Sequence, residues 1–210
     1  MQGLIGKKVG MTQVYDEQGV HVPVTVIQVG PCVVLQRKNT GRDGYEAVQV
    51  GFLDQKESRV NKPALGHFKK AGTAPKRVVR EFRVAKDAAA KEGDTISADV
   101  FDGVKYVDVS GITKGRGFQG VVKRHRMGGG RAAHGGKATL RRPGSIGMRT
   151  HPGRIFKNKR MPGHMGHINV TTQNLRVVQV RKEDNAILVQ GAVPGPNGGV
   201  VVVKKAIKKG

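Results

Sequence analysis

Fourteen lysine and arginine side chains fall between Lys114 and Arg160, and no aspartate or glutamate stands among them. They belong to a run of 74 residues, between Asp108 and Glu183, that lacks any carboxylate side chain yet holds 17 Lys and Arg, five of the seven His and 14 of the 31 Gly. The chemistry open to such a set is neutralisation of a polyanion. Guanidinium and ammonium groups donate to phosphate oxygens, imidazole stacks on bases or donates to phosphate, and glycine lets the backbone come close. The run carries +17 of the formal +23, the other 136 residues having 21 basic against 15 acidic side chains. A concentrated field of one sign repels itself in a compact state and is tolerable beside a polyanion; solvated charged faces normally mix signs.

Other chemistries fail on context. Gly115-Arg116-Gly117-Phe118-Gln119-Gly120 has the GxGxxG spacing, and Val122 extends it to GxGxxGxV. A dinucleotide fold requires an acidic residue about 20 positions later and a kinase requires catalytic and metal-binding aspartates, and the run supplies neither. These glycines more simply allow close approach to phosphates, with amides forming anion-binding nests beside Lys114 and Arg116. His164 and His167 have no Cys or carboxylate nearby to complete a metal set. Ser145 has no carboxylate within the run to orient a histidine for nucleophilic attack. The chain is therefore expected to be no enzyme, with no metal, no cofactor and no small-molecule substrate.

Folded RNA is the better-matched polyanion. No helix-turn-helix, zinc-finger or basic-zipper pattern is visible, and the run is too glycine-rich for a recognition helix. Irregular basic segments that order on contact suit the junctions of folded RNA. With no Trp, the chain offers no platform for stacking single strands. The phosphate-contact candidates are Lys114, Arg116, Lys123, Arg124, Arg131, Lys137, Arg141, Arg142, Arg149, Arg154, Lys157, Lys159 and Arg160. Gly115, Gly117, His125, Ser145 and His164 complete the expected RNA-binding set. A DNA-compacting protein is the alternative that the same charge allows.

The elements that must hold these residues are mostly strands. From Gly3 to about Val109, short β-rich segments alternate with turn residues, beginning with a hairpin whose corner is Asp16-Glu17-Gln18-Gly19. His21 to Val29 reads as a strand with Val22, Val24 and Val26 on one face, and Pro23 marks an edge or bulge. Val33 to Leu35 and Ala47 to Val50 follow, joined through Asn39-Thr40-Gly41 and Asp43-Gly44. A short helix starting at Pro63 and stopping at Gly72, and another from Ala85 to Lys91, form a small α+β insert at about 54–92. Strands resume over Ile96 to Phe101, Lys105 to Val109, Asn169 to Val180, Ala186 to Gln190 and Val200 to Val203, with Pro194 to Gly199 as a rigid turn.

Between Lys123 and His167 strand character disappears. Only 11 of these 45 residues are apolar, four of them Met and three Ala. Ordering 45 backbones costs on the order of 50 kcal/mol, which so little apolar surface at about 25 cal/mol per Å² does not offset. The segment is expected to be disordered alone. As a loop it reaches at most roughly 70 Å. The expected division is a body of 1–110 and 168–210 carrying an extended loop of 111–167. Cys32, the single cysteine, is expected to be a buried small hydrophobe in a protein of a reducing, cytoplasmic compartment. No apolar run has the length of a signal peptide or of a membrane span, so no membrane partner is expected.

FDGVKYVDVSGITKGRGFQGVVKR from Phe101 to Arg124 resembles the signature of the large-subunit ribosomal protein three family in its bacterial form, with Phe101, Asp108, Gly111, Thr113, Gly115, Arg116, Gly117, Gly120 and Arg124 in place. GKKVGMTQVY from Gly6, VPVTVIQVGPC from Val22, DGYEAVQVGF from Asp43, GHFKKAG from Gly66, RRPGSIG from Arg141, PGRIFKNKRMPGHMG from Pro152 and GAVPGPNGG from Gly191 are similar to that family in the same order. The resemblance implies a mainly β fold: a translation-factor-like β-barrel body with a small α+β insert and a long irregular basic loop. It further implies a structural component of the large ribosomal subunit that binds 23S ribosomal RNA early in assembly. The loop would run toward the peptidyl transferase centre, its apex at Arg142 to Thr150, and neighbouring large-subunit proteins would be its other partners. Some relatives carry a methylated Gln in the apex; Met148-Arg149-Thr150 has none, so that modification is not expected. Where many relatives have Trp, this chain has His125.

Overall fold

The computed structural model describes residues 3–84 and 90–209. In chain order the strands are β1 (Gly3–Tyr15), β2 (His21–Val29), β3 (Cys32–Lys38), β4 (Ala47–Asp54), β5 (Lys76–Arg83), β6 (Thr95–Ile96), β7 (Tyr106–Ile112), β8 (Phe118–Gln119), β9 (Gly163–His164), β10 (Asn169–Arg181), β11 (Ala186–Gln190) and β12 (Val200–Lys205). The helices are α1 (Thr40–Asp43), α2 (Lys62–Lys70) and α3 (Val121–His125). Two compact units result: Met1–Ile112 with Asn169–Gly210, and Thr113–Ile168.

The first unit is built on a closed barrel in the order β1-β12-β7-β10-β11-β2, every neighbouring pair antiparallel. Valine-rich segments with a period of two produce it, because β-branched side chains suit the pleat and alternate residues share a face. Ile27 and Val29, Val107 and Val109, Ile187 and Val189, and Val201 and Val203 are thereby sunk into one core. Gly6 sits where β1 and β2 close up, since a methyl there would stand 2.8 Å from the Gln28 carbonyl. A second sheet, β5-β4-β3-β6, adds Val34, Val48, Val50, Phe52 and Phe82 to the same core. At ~1.5–3 kcal/mol for each fully buried side chain, the eighteen described residues of that core stabilise the unit by tens of kcal/mol before chain entropy is counted. α2 lays Phe68 and Ala71 on Leu35, with Val60 and Val79 alongside.

Local chemistry explains the strand ends. The Asp16 amide donates to the Val20 carbonyl at 3.0 Å and Gly19, at φ 74, turns the corner. Pro23 pairs opposite Gln13 on β1, and its carbonyl accepts the Gly191 amide on the β11 side, just beyond the last ladder pair, Gln190 with Val24. Its missing N–H thus falls at the end of a ladder, where proline is tolerated. Cys32 is fully buried in the core, and burial pushes its thiol up to about 11.

Three expectations change. Ile96 to Phe101 is not a strand: only Thr95–Ile96 pairs with β3, and Ala98–Phe101 winds into a 3₁₀ turn that buries Ala98 and Phe101, three positions apart. Helical spacing of the two buried residues overrides the β-rich composition. Lys76–Arg83 forms β5, a strand hidden in the sequence by its four basic residues. Gly163–His164 forms β9 within the segment expected to lack strands. The helix expected from Ala85 to Lys91 lies largely outside the described residues.

Candidate nucleic-acid interface

The second unit begins as a backbone ladder between its two ends. The Thr113 amide donates to the Ile168 carbonyl at 2.9 Å, and the Ile168 amide to Thr113 Oγ1 at 3.3 Å. The Arg116 amide donates to the Met165 carbonyl at 2.9 Å, the Met165 amide returns to Gly117 at 3.0 Å, and β8 pairs with β9 through Phe118–His164 and Gln119–Gly163. Gly166, at φ 77, turns its bare Cα toward the carbonyl of Lys114, leaving no room for a methyl. The GxGxxG glycines themselves are not crowded: a methyl on Gly115 would stand 3.7 Å from His167 Cβ, and one on Gly117 or Gly120 would meet nothing within 4 Å. Because the Arg116 amide points inward to Met165, it is removed from the anion-binding nest expected there.

α3 follows directly, started by Gly120 and stopped by Arg126 at φ 58. It buries Val121, the one buried hydrophobic side chain in the described part of this unit. Arg124 Nη1 donates to the Met161 carbonyl at 2.8 Å, and His125 Nε2 lies 3.0 Å from the same oxygen. Gly163 leaves space for that guanidinium, since a methyl there would come within 2.6 Å of Nη1. Arg124 and His125, both half-buried, thus tie α3 to the returning chain. They were expected to face RNA, and each has at least one donor or acceptor committed internally.

The remaining candidates face outward. Lys114, Arg116, Lys123, Arg131, Arg141, Arg142, Arg149, Arg154, Lys157, Lys159, Arg160 and His164 are exposed. Lys137 lies in the turn Gly136–Ala138, its side chain outside what is described. Ser145 donates its hydroxyl to the Gly147 carbonyl at 3.0 Å and shapes the apex turn. The ion pairs Lys38–Glu81, Lys76–Asp54, Arg176–Asp16 and Lys182–Asp102 belong to the first unit, and the second has no carboxylate side chain to form one. Every cation of the second is therefore without a carboxylate partner inside its own unit. Arg126, exposed beside α3, belongs with the set and was missing from the sequence-derived candidates. So do Phe118, Met148 and Phe156, exposed at 75%, 73% and 55%. Their signal was the presence of large apolar side chains in a run with so few of them.

The family model for ribosomal protein L3 matches residues 53–186. The chain is 53% identical over 210 residues to the large ribosomal subunit protein uL3 of Corynebacterium jeikeium, covering all of this chain and 96% of that one. It is 51% identical to the proteins of the same name from Deinococcus radiodurans, over 208 residues with 99% and 96% coverage, and Alkaliphilus metalliredigens, over 210 residues with both chains covered completely. The chain belongs to the ribosomal protein L3 family. The family is a structural one, without enzymatic activity. The chain combines a barrel body with a cationic unit in which Val121 is the one buried hydrophobic side chain among the described residues. Both lie within the aligned length of these L3 relatives.

Proposed function

We propose that the protein is a component of the large ribosomal subunit that binds 23S ribosomal RNA directly through the Thr113–Ile168 unit, nucleates assembly there, and extends the Arg142–Thr150 apex toward the peptidyl transferase centre. Neighbouring large-subunit proteins would be its other partners. The observation that carries this reading is the imbalance inside that unit: 14 Lys and Arg, no carboxylate side chain, and Val121 alone buried among the described hydrophobic residues. Its shape is held by backbone ladders and the clasp on Met161, and its charge is balanced by phosphate. Glycines let the chain follow an irregular RNA surface, and its longest helix, the five-residue α3, is too short to read a duplex groove.

Affinity for a folded 23S fragment should fall steeply with salt. With about ten phosphate contacts, log affinity against log salt has a slope of about −7 to −9, between the single-strand and duplex coefficients. A slope near −2, or preference for duplex DNA over structured RNA at equal salt, would remove the proposal. Deleting residues 126–160 should leave the first unit folded while large-subunit assembly or peptidyl transfer fails.

A further inference from the structure

β8 and β9 form a ribbon two residues long, with Phe118 opposite His164 and Gln119 opposite Gly163. Residues directly opposite on an antiparallel pair share a face, and successive residues alternate between faces. The Gln119–Gly163 face is occupied from within the unit. The Arg124 guanidinium lies against Gly163 on its way to the Met161 carbonyl, and Gln119 is half-buried, its side-chain amide donating to the Arg116 carbonyl. The other face carries Phe118 and His164, both exposed, with Cβ atoms about 5 Å apart by ladder geometry.

Exposure is not the habit of phenylalanine in this chain. Phe52, Phe68, Phe82 and Phe101 are buried in the first unit, each 5% exposed or less, whereas Phe118 is 75% exposed. Single apolar side chains at a surface are common, but here a ladder sets two rings side by side. The face they make is small, one side chain from each strand, whereas a stable protein contact needs about 800 Å² on each partner. Its surroundings carry one sign: Lys114 and Arg116 are exposed on the segment leading into β8, Lys123 is exposed on α3 just beyond it, and the unit has no carboxylate side chain. Two rings of this extent beside unpaired cations fit a planar group that brings phosphates with it. Unstacked bases of folded RNA stack on Phe and His in this way. With no Trp the composition offers no stacking platform, but the fold assembles one from residues far apart in the chain.

We propose that Phe118 and His164 together stack one unpaired nucleobase of the ribosomal RNA, with its flanking phosphates held by Lys114, Arg116 and Lys123. The inference rests on RNA binding by the Thr113–Ile168 unit and adds to it a contact with a base plane.

The test is binding of the full chain to a folded 23S fragment across a salt series. Phe118→Leu keeps an apolar side chain without the ring and should weaken binding about fivefold or more, at an unchanged slope of log affinity against log salt, because no phosphate contact is lost. Phe118→Tyr keeps the ring and should restore the affinity. Arg116→Ala should instead make the slope shallower by about 0.7–0.9. Amide exchange at Arg116 and Met165 in the free Phe118→Leu protein should match the parent, showing the ladder intact. Ultraviolet irradiation of purified large subunits should crosslink Phe118 or His164 to one nucleotide, a readout that needs no variant. Parent-like affinity of Phe118→Leu, an equal loss in Phe118→Tyr, or subunits in which neither residue crosslinks to RNA would overturn the stacking. A slope near −2 in the parent itself would instead overturn RNA binding by the unit.

Discussion

The carboxylate of Asp108 accepts the backbone amide of Asn174 at 2.8 Å, across the bulge where β10 breaks register with β7, and its second oxygen accepts the Ile207 amide at 3.4 Å. Asp108 is the last acid before the long cationic run, and it is buried. Its position reflects backbone donors that the ladder leaves over: Asn174 adopts φ 57, which turns its amide out of the β7 pairing. Asp108→Ala would strand those amides and should cost about 1–3 kcal/mol. Urea denaturation of the variant would read this as a lowered midpoint at unchanged slope, with Asp108→Asn losing less.

Gly166→Ala should open the ladder between the ends of the second unit, because its φ of 77 and the Lys114 carbonyl behind it both exclude a side chain. The expected result is faster exchange at Arg116 and Met165, whose amides close that ladder, with the melting of the first unit unchanged. Amide exchange of the free protein checks both halves.

Arg124 and Arg149 should separate two kinds of cation. Arg124→Ala removes the bond to Met161 and should loosen α3 in the free protein as well as weaken RNA binding. Arg149→Ala, at an exposed apex position, should weaken RNA binding alone. Arg149→Lys should largely restore affinity, whereas Arg124→Lys should not restore the α3 exchange pattern, since a guanidinium holds a fixed geometry that an ammonium does not.

Glu81 lies 2.8 Å from Lys38 and accepts the Tyr45 hydroxyl at 2.8 Å. The Lys38 ammonium, then Tyr45, hold its carboxyl below the ordinary 4.5. A depressed carboxylate contributes stability above its unfolded value, and that contribution disappears as pH falls through the folded value. Glu81→Gln should therefore lower the urea midpoint at neutral pH, and the gap to the parent should shrink as the solution is acidified below 4.5. Lys38, held above its ordinary 10.5 first by Glu81, contributes on the alkaline side: its share persists below 10.5 and is lost as pH rises beyond its folded value.

Cys32 should not react with thiol reagents while the barrel is closed. Burial in the core and a thiol pushed up to about 11 both suppress the thiolate. Labelling should follow global unfolding across a urea series; fast labelling of the folded protein would contradict the burial.

Much of this architecture is legible from residue order. His21–Val29 and Ala186–Gln190 fall where valine alternation and flanking turn residues place them. β5 escapes because Lys76, Arg77, Arg80 and Arg83 mask the inward Phe82 and Val78. The 3₁₀ turn at Ala98 escapes because its signature, Ala98 and Phe101 three positions apart, is a single pair too short to stand out from the β-rich residues around it. In the cationic unit the sequence reveals the sign of the charge but not its direction. Arg124 bonds inward and Arg149 faces solvent, and nothing in their neighbouring residues distinguishes them.

Ile112 and Asn169 are paired across one rung of the barrel ladder, so the 56 residues between them leave and return at a single strand spacing. Whatever is spliced into that gap, the barrel meets the same two closely held ends, and doubling the length of a flexible insert adds only about 0.6 kcal/mol of closure entropy. The barrel can therefore act as a fixed socket for an interchangeable cassette, free to lengthen, shorten or change its chemistry without any strand having to be re-registered.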